Sequence, residues 1–432
     1  MNRYQSFKSS EIDWVGEIPS HWETVKPKFK LNRVTRPFDD DDEVVTCFRD
    51  GVVTLRKNRR ETGFTNSIKE HGYQQIRPGD LVVHEMDGFE GAIGISDSKG
   101  KSTPVYTVIE PDQRVDLRYI NYLLREMSKT GKIESLARSI RERTTDFRWN
   151  MWSEIHFPFP PIEEQQLISR YLDKKTEQID SLVKKIQKKI ELLKEQRTSL
   201  INQCVTKGLD PNVEMKDSGV EWIGEIPKHW KKSKFKFVSD LYTGDSLNDS
   251  QKLKYESDNP NDIPYVSSKD IDRDYHIVNY NNGLRVPKEE NPLKISPKGS
   301  FLMVIEGGSS GRKIVFLEQD VCFVNKLCSF NSVENTKFQY YFVQCVGYQD
   351  KFKFSLSGII GGVSISKLKD FELILPPLSE QQKIVEYLDE QTGLIDNKVF
   401  IEEKRMELLK EYRQSLISSV VTGKVRVTED MI

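Results

Sequence analysis

The chain has 432 residues, 30% charged and 37% hydrophobic, long enough for two or three domains with real cores and too apolar for a disordered polymer. Its 65 Lys+Arg nearly cancel its 66 Asp+Glu, so the formal charge of −1 offers no bulk attraction for nucleic acid, and such a partner must be argued from where the charges sit. The opening MNRYQSFKSSEIDW has no apolar core and no later stretch reaches roughly 20 consecutive apolar residues, so a cytoplasmic chain with no membrane contact is expected. Cys47, Cys204, Cys322, Cys328 and Cys345 form no C-x-x-C pair and have no histidine at zinc-ligand spacing, so they read as buried or free thiols with no metal.

In chain order, the first distinctive segment is DWVGEIPSHW, Asp13 to Trp22. A basic cluster follows at Arg56, Lys57, Arg59 and Arg60. Asp80 to Val83 and Ala92 to Ile95 read as strands joined by a glycine turn from Asp87 to Gly91, and Leu117 to Met127 reads as an amphipathic helix. LARSIRERTTDFRW supplies Arg138, Arg141, Arg143 and Arg148 with Thr144 and Thr145 between them. Pro160-Pro161 can open a helix because proline at the first position loses no needed N–H, and Glu163 and Glu164 suit the positive end of its dipole. Beyond them Leu172, Ile179, Ile186, Leu193 and Leu200 fall every seven residues, with Val183, Ile190 and Cys204 four residues on, which is the 4-3 spacing of a coiled-coil seam.

The same order then recurs. EWIGEIPKHW, Glu221 to Trp230, matches seven of ten positions of the first segment at a displacement of 208. Ser300 to Ile305 and Lys313 to Leu317 read as strands flanking a second glycine turn, Gly307 to Gly311, with Gly88 over Gly308 and Gly91 over Gly311 at about 220. Phe338 to Gln344 reads as a helix, and the glycine-rich SGIIGGVSIS from Ser357 aligns with the arginine-rich stretch at Ser139. PPLSEQQKIVEYLDEQTGLID from Pro376 repeats PPIEEQQLISRYLDKKTEQID from Pro160 at 216, and Leu388, Ile395, Leu409 and Leu416 continue the heptad line, interrupted by Glu402. Two copies with so long a period make a tandem two-module chain rather than a solenoid. A helix of roughly 40 residues is about 60 Å long, more than one small module needs, so the two are expected to pack antiparallel. The fold class is therefore α+β: two tandem mixed domains separated by two long antiparallel coiled-coil helices, pseudo-two-fold symmetric. The expected boundaries are 1–159, 160–208 for the first helix, 209–375, and 376–432 for the second helix and tail.

Catalytic motifs are missing. GKS at Gly100 to Ser102 is preceded by Gly94 with five intervening residues where a phosphate loop needs four. There is no G-x-G-x-x-G after a strand and no H-E-x-x-H, and G-x-S-x-G occurs only as GGSSG, Gly307 to Gly311, in a turn that reads as joining two strands and not as a strand-to-helix elbow. His21 and His229, each beside a Trp of the repeated segment, read as packing residues.

The duplicated [DE]W-[VI]-GEIP-x-HW segment and P-P-x-x-E-Q-Q-x-I-x-x-Y-L-D followed by E-L-L-K-E-x-R-x-S-L-I resemble the specificity subunits of type I restriction-modification systems. The resemblance implies a non-catalytic chain whose two target-recognition domains each read half of an asymmetric bipartite site in double-stranded DNA. The helices, carrying Leu172, Ile179, Ile186, Leu193, Leu200, Leu388, Ile395, Leu409 and Leu416, would set the spacing and dock two modification (methyltransferase) subunits, with two restriction subunits as a further layer. No cofactor is expected in this chain; S-adenosylmethionine, ATP and Mg would belong to the partners. The family has no fixed DNA-reading motif, so candidate contacts come from charge and loop position: Arg56, Lys57, Arg59, Arg60, Arg141, Arg143, Thr144 and Arg148 in the first module, and Lys269, Arg273, Ser309, Ser310, Arg312 and Lys313 in the second. A coiled-coil scaffold carrying two protein-binding modules is the competing reading, and a stand-alone DNA enzyme a third, disfavoured by the missing motifs.

Overall fold

The computed structural model describes residues 3–59, 62, 70–136, 147–289, 292–357 and 361–432. The chain divides into two compact units, Met1–Lys185 with Arg405–Ile432, and Ile186–Lys404. Both divisions fall inside the long helices, Ile162–Lys207 and Leu378–Val421, so each unit holds one globular head, the start of one helix and the end of the other.

The sheets of the two heads follow one plan. In the first unit a four-stranded antiparallel sheet runs in the order Asn32–Val34, Tyr106–Glu110, Leu81–His84, Ile93–Ile95. In the second the order is Ser239–Thr243, Leu327–Ser332, Phe301–Val304, Ile314–Phe316. Each is thus a first-fourth-second-third arrangement, and the glycine turn joins the last two strands of the row. Register agrees as well: Leu81 faces Ile95 and Val83 faces Ile93, as Phe301 faces Phe316 and Met303 faces Ile314. The inner strands Leu81–His84 and Phe301–Val304 are buried on both faces, which explains their nearly continuous apolar runs, whereas the edge strands Asn32–Val34 and Ser239–Thr243 are more exposed and more polar.

Against each sheet lies the expected amphipathic helix, Leu117–Lys129 in the first unit and Thr336–Phe342 in the second. The second is as long as its sequence pattern indicates but lies two residues earlier, ending at Phe342, and a further helix, Val346–Phe354, follows it. Asp116 and Asn335 cap the two helices by accepting backbone N–H bonds. The heads differ beside the main sheet. The second unit adds a four-stranded sheet containing a parallel pair, Ile263–Val266 with Val321–Phe323. The first has two hairpin-like pairs, Val45–Cys47 with Val53–Leu55 and Gln74–Ile76 with Gly100–Ser102. The GKS segment is therefore a buried strand, and Lys101 Nζ is tied to Glu70 at 2.8 Å.

The long helices span 46 and 44 residues. Gln165 and Gln381 each donate to the carbonyl of the proline that precedes the helix, Pro160 and Pro376, and Gly208 and Gly423 end the helices with φ of 79° and 74°. In both units the helix segments run antiparallel. Arg413 meets Asp180 at 2.9 Å in the first, and Lys189 meets Glu402 at 2.6 Å and Arg197 meets Asp396 at 2.9 Å in the second. Leu172, Ile179, Ile186, Leu388, Ile395 and Leu416 are buried on this seam, while Leu193, Leu200 and Leu409 are half-buried. Glu402 is buried at a seam position, where Lys189 neutralises it, so the interruption of the heptad is filled by an ion pair. All five cysteines are free and buried.

Candidate nucleic-acid interface

The repeated Trp segment positions each head. Trp22 is fully buried and lies against Gly423 at the end of the second helix, while His21 Nε2 is 2.8 Å from Glu164 at the start of the first. In the other unit Trp230 lies against Gly208 and His229 Nε2 is 2.7 Å from Glu380. Tyr122 donates to Asp173 at 2.9 Å beside Thr176, and Tyr341 donates to Asp389 at 2.7 Å beside Thr392. The amino-acid order alone reads the histidines as packing residues, and these links go beyond that reading. The signal was available, because each partner pair recurs in both copies.

In the second unit the candidate residues come together. The segment from Ser267 to Asn279 folds back on itself, with Ile271 bridged to Val278 and Asp270 accepting from Ser267. Lys313 Nζ then donates to Ser268 O at 2.7 Å, and His276 Nδ1 donates to Ile314 O at 3.0 Å, clamping this loop onto the end of the glycine turn. Lys269, Arg273 and Arg312 are thereby exposed on neighbouring loops, and none has an ion pair among the described residues. Uncompensated cations on adjacent loops are the electrostatic footprint that a phosphate backbone needs. Ser310 Oγ is turned inward to Gly307 O at 2.5 Å and Gly361 O at 3.3 Å, and Ser309 lends its carbonyl to the Arg312 N–H. The glycine-rich stretch lies on this turn, Gly307 N donating to Gly361 O at 3.0 Å.

The first unit handles its basic cluster differently. Arg56, Lys57 and Asn58 form a 3-10 turn after the strand Val53–Leu55. Arg56 Nε donates to Thr46 Oγ1 at 3.2 Å, Lys57 pairs with Glu43 at 2.5 Å, and Arg59 pairs with Asp50 at 2.7 Å while stacking 4.8 Å over Phe48. Arg148 lies 4.0 Å from Glu85. Acidic side chains brought to the cluster by the fold thus balance much of this charge. Arg60, Arg141, Arg143 and Thr144 lie outside the described residues. Beyond them, Phe147 N donates to Glu85 O at 2.9 Å, as Val363 N donates to Ile305 O at 3.0 Å in the second unit.

The glycine turns themselves spend most of their N–H groups internally. In the first, Glu90 and Ala92 donate to Asp87 O and Gly91 to Gly88 O; in the second, Ser310 donates to Gly307 O and Gly311 to Val304 O. The carbonyl of Gly91 accepts from Arg125 at 2.8 Å. Side chains on the turns, rather than backbone amides, are what these loops offer to a phosphate. Among the described residues no group of His, Cys, Asp or Glu could hold a metal ion, and no helix is long and apolar enough to cross a membrane.

Residues 227–410 match the family described as Type I restriction modification DNA specificity domain. Over nearly its whole length the chain is similar to the putative type I restriction enzyme MjaX specificity subunit of Methanocaldococcus jannaschii, 22% identical over 98% of this chain and 97% of that one. It is 21% identical to the type I restriction enzyme StySPI specificity subunit of Salmonella potsdam, over 95% and 90% of the two chains. Among solved structures, a chain from work on complex assembly and conformational transition of the type I R-M system aligns with a TM-score of 0.68 at 14% identity, over 94% of this chain and 99% of that one. The HsdS subunit from Thermoanaerobacter tengcongensis aligns with a TM-score of 0.52 at 15% identity, over 94% and 98%.

Proposed function

We propose that this chain, which belongs to the family of type I restriction-modification specificity subunits, uses each unit to read one half of a bipartite site in double-stranded DNA. The matched domain is one of DNA specificity and not of catalysis, so the chain is the non-catalytic, DNA-recognising member of such a system. The observation that carries the bipartite reading is one sheet plan built twice, with the same Tyr–Asp–Thr and His–Glu links but different loops. Two heads alike in frame and unlike in loops suit two half-sites of different sequence.

The cluster of Lys269, Arg273 and Arg312 would grip phosphate in the second half-site, and Lys57, Arg59 and Arg148, after exchanging an acidic partner for the backbone, would act with Arg56 in the first. The antiparallel helices would fix the distance between half-sites and carry two modification subunits, with restriction subunits beyond them. S-adenosylmethionine, ATP and Mg would then reside in those partners, and the assembly would work in the cytoplasm. The scaffold alternative draws support only from the near-neutral charge.

The test is to express the chain with its modification partner, map the methylated adenines, and repeat with Lys269→Ala, Arg273→Ala and Arg312→Ala. Each substitution is expected to weaken the complex and reduce the salt dependence of duplex binding by about one phosphate contact, with changes confined to one half-site. Equal relaxation of both half-sites, or duplex binding indifferent to all three changes, would overturn the assignment.

A further inference from the structure

Within the first unit, a cavity of about 440 Å³ opens beside the polar face of the helix Leu117–Lys129, between that helix, the loop at Gly51 and the last part of the second long helix. Its volume lies in the range of small-molecule sites. Four cations border it: Arg118, which is paired with Asp116 and Asp173, and Arg125, Lys129 and Arg413. Arg413 is paired with Asp180 at 2.9 Å. Arg125 is held only by the carbonyls of Gly91 and Ile93, at 2.8 and 3.1 Å, and Lys129 has no ion pair among the described residues.

The carboxylates around the cavity are already engaged. Asp50 is bound by Arg59, Asp173 by Arg118 and Tyr122, and Glu126 accepts from Gln414. The fourth, Asp97, accepts from Ser98. Burial and the neighbouring Arg413 and Arg125 hold the Lys129 ammonium below its usual range, and burial lowers Arg125, which is what unsatisfied like charges produce. Two acceptor oxygens, Asn121 Oδ1 and Gln414 Oε1, are buried with no hydrogen-bond donor.

The second unit shows how this place is built when it is not a site. There Tyr340 stands where the first unit has Asn121 and is buried, while Gln344 stands where it has Arg125. Gln344 Oε1 accepts from Arg197, the counterpart of Arg413, at 3.2 Å, and Arg197 pairs with Asp396. One copy closes the position with a neutral amide and an aromatic ring; the other opens it and sets an arginine facing an arginine. Such an arrangement costs stability unless an anion occupies the gap.

We propose that this cavity binds a free nucleotide, with its phosphate among Arg125, Lys129 and Arg413 and N–H or O–H groups of its base or ribose donating to Asn121 Oδ1 and Gln414 Oε1. The phosphate supplies the missing negative charge, and the donors satisfy oxygens that phosphate alone cannot. DNA reading by the loops does not depend on this site, so the two assignments stand or fall separately.

The experiment is calorimetric titration of the full chain with AMP, ATP and inorganic phosphate, alongside Arg125→Gln and Lys129→Gln. Arg125→Gln installs the residue found at this position in the second unit, and Lys129 has no ion pair to lose among the described residues, so both variants are expected to fold. The expected result is one nucleotide per chain, tighter than inorganic phosphate, weakened about tenfold or more by either substitution. No nucleotide binding at millimolar concentration, binding unchanged in both variants, or phosphate binding as tightly as nucleotide would each overturn the proposal. So would loss of duplex binding in these variants without any nucleotide binding, which would assign the cations to DNA.

Discussion

Gly91 and Gly308 occupy matching turns yet face different constraints. Gly91 has φ of 95°, and a Cβ there would stand 2.7 Å from the backbone oxygen of Arg49, whereas a Cβ on Gly308 would meet nothing within 4 Å. Gly91→Ala is therefore expected to lower unfolding stability by about 1–3 kcal/mol and Gly308→Ala to leave it nearly unchanged, as urea denaturation would show. His84 makes the same turn sensitive to pH. Its Nδ1 accepts the N–H groups of Met86 and Asp87 at 3.2 and 3.1 Å, which requires the neutral ring. Burial, against the pull of Asp87, holds His84 below its usual 6.5. A depressed histidine stabilises the fold above the unfolded value and loses that contribution as pH falls from 6.5 toward the folded value. The denaturation midpoint is thus expected to drop between pH 7 and 5, and His84→Gln to flatten the drop. His276, lowered by burial and Arg197, titrates in the same direction and remains in that variant, so the flattening is partial.

At the scale of elements, the long helices are informative because their seam is regular. Heptad spacing places Leu388, Ile395 and Leu416 inside, and the one break, Glu402, is closed by Lys189. Inserting one heptad in the first helix between 185 and 186 and another in the second between 404 and 405 keeps both seams in phase. Seven residues add about 10.5 Å, or about three base pairs at 3.4 Å each. Methylation mapping should then report a spacer about three base pairs longer with both half-sites unchanged. A heptad in one helix alone shifts the facing residues out of register and is expected to lower stability. The spacing role of the helices fails if half-sites change while the spacer does not.

At the scale of the whole molecule, chain order and unit membership disagree. The segment Arg405–Ile432 belongs to the unit that holds the N-terminal head. Leu416, Ile417, Val420, Val421, Val425 and Val427 are all buried in that unit's core. Each such side chain contributes roughly 1.5–3 kcal/mol, so together they rival the 5–15 kcal/mol stability of a typical domain. Deleting residues 405–432 is expected to unfold the first unit while Ile186–Lys404 stays protected, a contrast that hydrogen exchange would resolve. Protection of the first head in the truncated chain would refute it.

Repetition and periodicity were legible in the amino-acid order. Matching segments at 208, 220 and 216 establish two copies, and the 4-3 spacing establishes two long helices, because both are properties of residues read along one chain. Strands Leu81–His84 and Phe301–Val304 were visible as apolar runs for the same reason. What tertiary structure alone decided is which residues meet across the sequence. Lys57 and Arg59 read as bare positive charge until folding brings Glu43 and Asp50 to them, whereas Lys269, Arg273 and Arg312 are left exposed by a clamp between Lys313 and Ser268. Likewise Arg125 and Gln344 occupy matching places, but only packing shows that one faces an arginine across a cavity and the other caps one. Local order specifies elements through short-range backbone and side-chain preferences, while the net charge of a surface depends on neighbours brought together over long range, which no window along the chain contains.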